Sequence, residues 1–289
     1  MDTRSTTLAF SAYVALAASS WMLQLAYPTS IGDREAEILV LLLALGAALL
    51  SGPRLVWYRG VGRWRTVASG LLLFGLPTLL ADCSQGISTL VRVSLLALVP
   101  AFVVVVSPAF RGDGDDFLGL LGSSLVGLAG ALLLLPADPA LLFDKPVSAL
   151  LLVGAVGSIA VGSCLGHKAM RESPLRRSLI LMLGPSLLVL GLVAAVTHPA
   201  VLVPRGGDFL ALVWGAVEVW LLMYLLRAVP PIPLSTRYLL VPLVTALEGV
   251  AFVRPRIGWR LMLGAALLLF GSVKLIMQEP QEDSPLSLL

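Results

Sequence analysis

Charge is scarce in this chain. Only 13% of its 289 residues are Asp, Glu, Lys or Arg, 58% are hydrophobic, and the mean hydropathy is +0.95. A water-soluble domain of this length needs far more polar surface, so that class is excluded. Histidine is scarcer still. His167 and His198 both fall at span ends or in loops, which leaves no buried imidazole for a serine nucleophile or a metal. Cys83 and Cys164 are the only cysteines. They lack metal-ligand spacing, and the topology below puts them near opposite membrane faces, against a disulfide. No Gly-x4-Gly-Lys-Ser/Thr stretch occurs, so ATP is not the energy source within this chain. The expectation is a protein that is not an enzyme and needs no cofactor or metal. The formal charge of +3 does not imply nucleic acid, because arginine crowds into short loops between apolar runs.

Those apolar runs are what the chain has in abundance. Each is about 20 residues long, enough to cross the hydrocarbon core as a helix, and barrel-type alternation is absent. The fold class read from them is all-α membrane, with ten transmembrane helices at about 7–27, 36–51, 66–84, 88–107, 116–135, 147–165, 178–196, 209–227, 235–253 and 258–277. Turn signals separate them, among them Ser51-Gly52-Pro53, Pro136 to Pro139 and Pro230-Pro231 with Pro233. The first run continues to Tyr27 without a small-residue cleavage pattern, so no cleavable signal peptide is read. The polar tail 278–289, with Pro280 and Pro285, reads as unstructured.

An internal repeat organises the spans. Shifting the chain by 142 residues superposes the first five on the last five, carrying Pro100 onto Pro242 and Gly122 onto Gly264. This divides the chain into residues 1–136, 146–277 and the tail. Five helices per repeat is an odd number, so the second repeat enters the membrane from the opposite side. The result is two inverted five-helix repeats, a plan that recurs in secondary transporters. Arg54, Arg59, Arg63 and Arg65 in one loop, and Lys168, Arg171, Arg176 and Arg177 in another, share one side. The positive-inside rule places that side, and both termini, in the cytoplasm. Arg254, Arg256 and Arg260 fall outside and dissent. Trp57, Tyr58 and Trp64 fit an interfacial aromatic belt.

Ionisable groups within the spans carry the functional information, since a charge at mid-bilayer costs about 2.5–3.5 kcal/mol. Glu218 lies near the centre of span eight, with Trp214 one turn before it on the same face. It can bind a cationic or polar group or take up a proton; the structural alternative is a glutamic acid hydrogen-bonded to a neighbouring helix. Glu248 shares a face of span nine with Thr245, just beyond Pro242, whose missing amide frees a carbonyl one turn earlier. Glu248 either lines a cavity or pairs with Arg254 or Arg256. Asp82 and Arg92 flank a short turn and read as a structural ion pair or an extracellular gate. Pro77, Pro100, Pro185 and Pro242 predict kinks around a central space. Gly154, Gly157 and Gly162 predict close helix packing.

Residues 238–277 pair a Pro-interrupted run with a Gly264-x6-Gly271 run across Arg254-Pro255-Arg256. This stretch resembles the last two helices of an EamA-type drug/metabolite transporter. In that family the turn is Gly-Glu-Arg; its acidic member is missing here, and no role is carried onto it. Four-helix multidrug relatives place a Glu in their first helix, which span one lacks. The resemblance implies ten helices in two inverted repeats around a substrate cavity, and export of amino acids or similar metabolites at the bacterial inner membrane. The expectation is a secondary transporter for a small polar or amphipathic metabolite, lined by Glu218, Trp214, Thr245, Glu248 and Pro242, with proton coupling. The alternatives are a non-transporting sensor or assembly partner, or a flippase for a lipid-linked sugar. Substrate, direction and oligomeric state are not encoded in any motif.

Overall fold

The computed structural model describes residues 3–26, 32–51, 62–84, 87–111, 117–135, 144–197, 206–253 and 258–277. Among the described residues every regular element is a helix. In chain order the main ones are α1 (Thr3–Ala26), α2 (Asp33–Leu50), α3 (Arg63–Cys83), α4 (Leu90–Val106), α5 (Phe117–Leu134), α6 (Pro146–Arg171), α7 (Leu175–Thr197), α8 (Asp208–Ala228), α9 (Pro231–Val253) and α10 (Trp259–Ile276), with a four-residue helix Pro108–Arg111 following α4. Seven of them, α3 and α5 to α10, are long and apolar enough to cross a membrane. The protein is therefore a multi-pass α-helical membrane protein. Trp57, Tyr58, the Arg254–Arg256 turn, His198 and the tail 278–289 lie outside the described residues. Trp64 stands exposed at the start of α3.

The helices are apolar on both faces, as membrane spans must be. Leu118, Leu188, Leu192, Leu269 and Phe270 point outward, while Leu41, Met170, Leu179, Leu183, Leu190 and Leu226 are fully buried. α6 packs against α3, α4 and α8; α1 packs against α8 and α9; α2 lies against α7 and α8; and α5 is sealed along α10. Cys83 and Cys164 are not joined in a disulfide; Cys83 is exposed and Cys164 buried.

Glycine sets the closest approaches. A β-carbon at Gly162 would stand 2.9 Å from Leu73 and 3.0 Å from Leu72, so α6 and α3 pack tightly there, whereas Gly154 and Gly157 meet only side chains at 3.5 Å or more. At the α5–α10 crossing the backbones themselves touch. A β-carbon on Gly271 would lie 2.6 Å from the Ser123 carbonyl oxygen and 2.8 Å from the Gly127 nitrogen; one on Gly130 would lie 2.8 Å from the Gly264 oxygen. Partners descend along α10 as they ascend along α5, so the two helices run antiparallel. Gly122, which the 142-residue shift pairs with Gly264, has nothing within 4 Å and is not part of this contact.

Three helices depart from regularity. α3 widens into a π-turn over Leu71–Gly75, where the Leu76 amide reaches back to the Leu71 carbonyl. Pro77 follows at once and has no amide to give, which is a setting for such a turn. α4 breaks between Leu96 and Val99, with Pro100 in the first turn of its second segment. α9 breaks at Thr236, not at Pro242, which sits inside the continuous segment Arg237–Val253. Pro185 likewise lies within unbroken α7.

The α5–α10 contact makes a testable distinction. Gly271→Ala forces the backbones apart and is expected to cost about 1–3 kcal/mol. Gly122→Ala meets open space and is expected to be neutral or stabilising by up to ~1 kcal/mol. Thermal unfolding of the two full-length variants in one detergent checks this, and equal stabilities would mean that α5 and α10 do not touch.

Candidate functional site

Polar side chains collect where α1 meets α8 and α9, beside α2. α1 supplies Tyr13 and Ser19, α2 supplies Glu37, α8 supplies Trp214, Glu218 and Trp220, and α9 supplies Arg237, Tyr238, Thr245 and Glu248. Tyr13 is the hub. It lies within electrostatic range of Arg237, Tyr238, Glu218 and Glu37. Glu218 in turn lies within electrostatic range of Glu37 across the α2–α8 contact.

Arg237 is 3% exposed. Its guanidinium carbon lies 4.7 Å from the Tyr238 ring centroid and 5.6 Å from that of Tyr13, and one Nη donates to the Tyr238 hydroxyl at 2.9 Å. Such contacts to aromatic faces stabilise a cation by roughly 0.5–2 kcal/mol each. Its Nε and other Nη are buried and have no hydrogen-bond partner among the described residues.

The residues expected from sequence divide into two sets. Glu218 sits half-buried within the cluster. Trp214 stands beside Glu218, and its indole N–H donates to the Leu16 carbonyl of α1 at 3.0 Å. Thr245 donates to the Ala18 carbonyl at 3.3 Å, and the Ser19 hydroxyl lies 2.8 Å from Glu248 Oε1 and 2.8 Å from the Ala15 carbonyl. Thr245 and Glu248 thus share a face, as the spacing requires, and that face is joined to α1. Pro242 is buried on the same helix.

Asp82 and Arg92 have other partners. Asp82 Oδ2 lies 3.5 Å from Arg34 Nε, tying α3 to the start of α2, while Arg92 donates to the Ser84 carbonyl at 3.2 Å. Arg34 also approaches Glu35 at 3.7 Å. His167 lies within α6, with Nδ1 2.7 Å from the Leu226 carbonyl of α8, where it joins helices. Among the described residues no three His, Cys, Asp or Glu side chains gather as a metal site.

Arg237, Tyr13 and Glu37 are the functional candidates that the sequence reading passes over. Arg237 and Glu37 stand within two residues of their inferred span ends, where charge is cheap. The signal for Arg237 was available: Pro231 can open a helix as its first residue, which moves the span start four residues earlier and the arginine inward.

No family model matches the chain, and no curated protein matches it. A solved structure described only as "Crystal structure of protein" is similar in fold, with a TM-score of 0.73 at 17% identity, over 95% of this chain and 99% of that one. The likeness shows a shared fold and nothing of activity.

The ion pair gives the second prediction. A double-mutant cycle of Asp82→Asn with Arg34→Gln is expected to show a coupling of about 0.5–1 kcal/mol in unfolding free energy, as for partly exposed pairs. The cycle of Asp82→Asn with Arg92→Gln is expected to show none. Equal coupling in the two cycles would reverse the assignment.

Proposed function

We propose that the protein is a secondary transporter of a small polar or amphipathic metabolite, working by alternating access between two five-helix halves of opposite orientation. The observation that carries this reading is the cluster itself: one arginine, two tyrosines and two glutamates drawn from α1, α2, α8 and α9 into the middle of an apolar bundle. Ionisable groups in hydrocarbon are expensive and mark solute or proton paths. Glu218 is the group for a cationic or polar part of the solute, or for a coupling proton, and Tyr13 and Tyr238 wall the site.

Packing supports the two halves. Exchanging each helix for the one five places away turns the α1–α8 contact into α6–α3, α1–α9 into α6–α4, and α2–α8 into α7–α3, and all these pairs are packed. The α5–α10 crossing obeys the same exchange. Gly130 and Gly271 are 141 residues apart, as are Ser123 and Gly264, so the Gly130–Gly264 contact maps onto Gly271–Ser123. Helices five apart oppose one another in direction at α5–α10. They do so again where Arg176, opening α7, donates to the Ala48 and Leu49 carbonyls at the end of α2, at 2.8 and 2.9 Å. The EamA-type resemblance of residues 238–277 favours export at a bacterial inner membrane, and the basic loops favour cytoplasmic termini.

Two measurements test this. Comparing metabolites released by cells over-expressing wild type, Glu218→Gln or no transporter is expected to reveal at least one compound exported by wild type alone. Export that is absent in wild type, or unchanged in Glu218→Gln, removes transport or Glu218 respectively. For orientation, a membrane-impermeant maleimide added to intact spheroplasts is expected to label Cys83 while leaving Cys164 unreacted. Labelling of Cys83 only after lysis would invert the topology.

A further inference from the structure

Arg237 poses a problem that the transport reading does not solve. A buried charge is tolerated when it is paired and hydrogen-bonded, and an unpaired one is strongly disfavoured. Among the described residues no carboxylate lies within ion-pair distance of this guanidinium. The Tyr238 hydroxyl satisfies one N–H, and the two tyrosine rings contact the cation, yet Nε and one Nη have no acceptor.

The backbone makes the imbalance larger. Arg237 is the first residue of the 17-residue segment that restarts α9 after Thr236. A helix N-terminus carries partial positive charge and favours anions, so a cation there is on the wrong end. Two positive features therefore converge at one buried point, at a break in a membrane helix. Broken helices whose N-termini point to mid-membrane are a recurring way of receiving anionic groups. Among the described residues neither Glu218 nor Glu37 comes within ion-pair distance of the guanidinium, so neither supplies the missing charge.

We propose that Arg237, flanked by Tyr13 and Tyr238 at the break in α9, is the binding site for an oxyanion, a carboxylate or phosphate group of the solute. The oxyanion accepts from the unpartnered Nε and Nη, the guanidinium supplies its countercharge, and the tyrosine rings screen the pair from lipid. This deepens the transport reading and rests on it for its purpose. Binding is measured at equilibrium, so loss of the anion site and loss of transport are read separately.

The test uses the full-length protein in phosphatidylcholine nanodiscs, with sodium benzoate and inorganic phosphate as probes against sodium chloride at equal ionic strength. In wild type, at least one probe is expected to raise the unfolding midpoint saturably, and Arg237→Gln is expected to lose that increment. Benzoate alone indicates a carboxylate, and phosphate alone a phosphate group. A second measurement keeps the test open should Arg237→Gln fail to fold. Phenylglyoxal modification of Arg237 in wild type, followed by peptide mass, is expected to slow about tenfold at a probe concentration ten times its dissociation constant. The proposal is overturned if neither probe exceeds chloride, if Arg237→Gln responds like wild type, or if Arg237 never reacts, since a solute site has to open to water.

Discussion

A backbone in hydrocarbon has to satisfy itself, and that constraint governs both the helices and the joints between them. Once each amide is spent within its helix, a carbonyl oxygen still has a second lone pair. This protein uses that spare acceptor repeatedly. Trp214 donates to Leu16, Trp220 to Ala44, Thr245 to Ala18 and Arg176 to Ala48. Each bond ties a side chain of one helix to the main chain of another without asking the second helix for a polar residue. Interhelical hydrogen bonds in membranes average roughly 0.6 kcal/mol, so the set positions helices more than it stabilises them. It aligns α1 with α8 and α9, and the polar cluster forms at that seam.

The break in α9 decides what the seam contains. Pro231 and Pro233 hold the short helix Pro231–Ser235, and Pro230 precedes it in extended conformation. The carbonyls freed at its end are met internally: Ser235 donates to Ile232 at 2.6 Å, and Thr236 donates to Pro233 at 2.7 Å. The Leu239 and Leu240 amides then bond the Thr236 carbonyl and start the next segment. The interruption costs little because its own hydroxyls repair it. Its result is that Arg237 heads a new helix beside Tyr13, and no longer sits in the first turn of a rod that begins at the membrane surface.

The helices were legible because apolar length and turn residues report directly on them; the inferred and observed ends differ by a few residues, and seven of the ten inferred spans correspond to helices long and apolar enough to cross a membrane. The cluster was legible only where charge stood in mid-span, as at Glu218. Arg237 was hidden by a four-residue error in where α9 begins, enough to move an arginine from the interface to the interior. Asp82 illustrates a different limit. Its sequence neighbour across the turn is Arg92, but its partner is Arg34, which only the packing of α2 beside α3 brings near. Glycine pairing shows a third limit. The sequence pairs Gly122 with Gly264 at a shift of 142 residues, but the residues that meet at the α5–α10 crossing are Gly130 with Gly264 and Ser123 with Gly271, because a side-chain match says nothing of which face touches. Ser123 is the residue at the contact, and it turns its hydroxyl back to Gly119 on its own helix.

That serine also separates two kinds of joint. At the α5–α10 crossing Ser123, Ser124 and Ser272 all donate to carbonyls four residues back in their own helices, at 2.7, 2.9 and 2.7 Å. What meets across the gap is glycine backbone in van der Waals contact. Such a surface has steep repulsion against closer approach and no directional bond to break on sliding. The α1–α8 and α1–α9 joints are the reverse, with indole and hydroxyl donors fixed on particular carbonyls. Relative motion in a bundle built this way is cheapest at the smooth crossing and costliest at the stitched seam. The polar cluster lies along that stitched seam, and α2 is joined to it through the Trp220 indole on the Ala44 carbonyl.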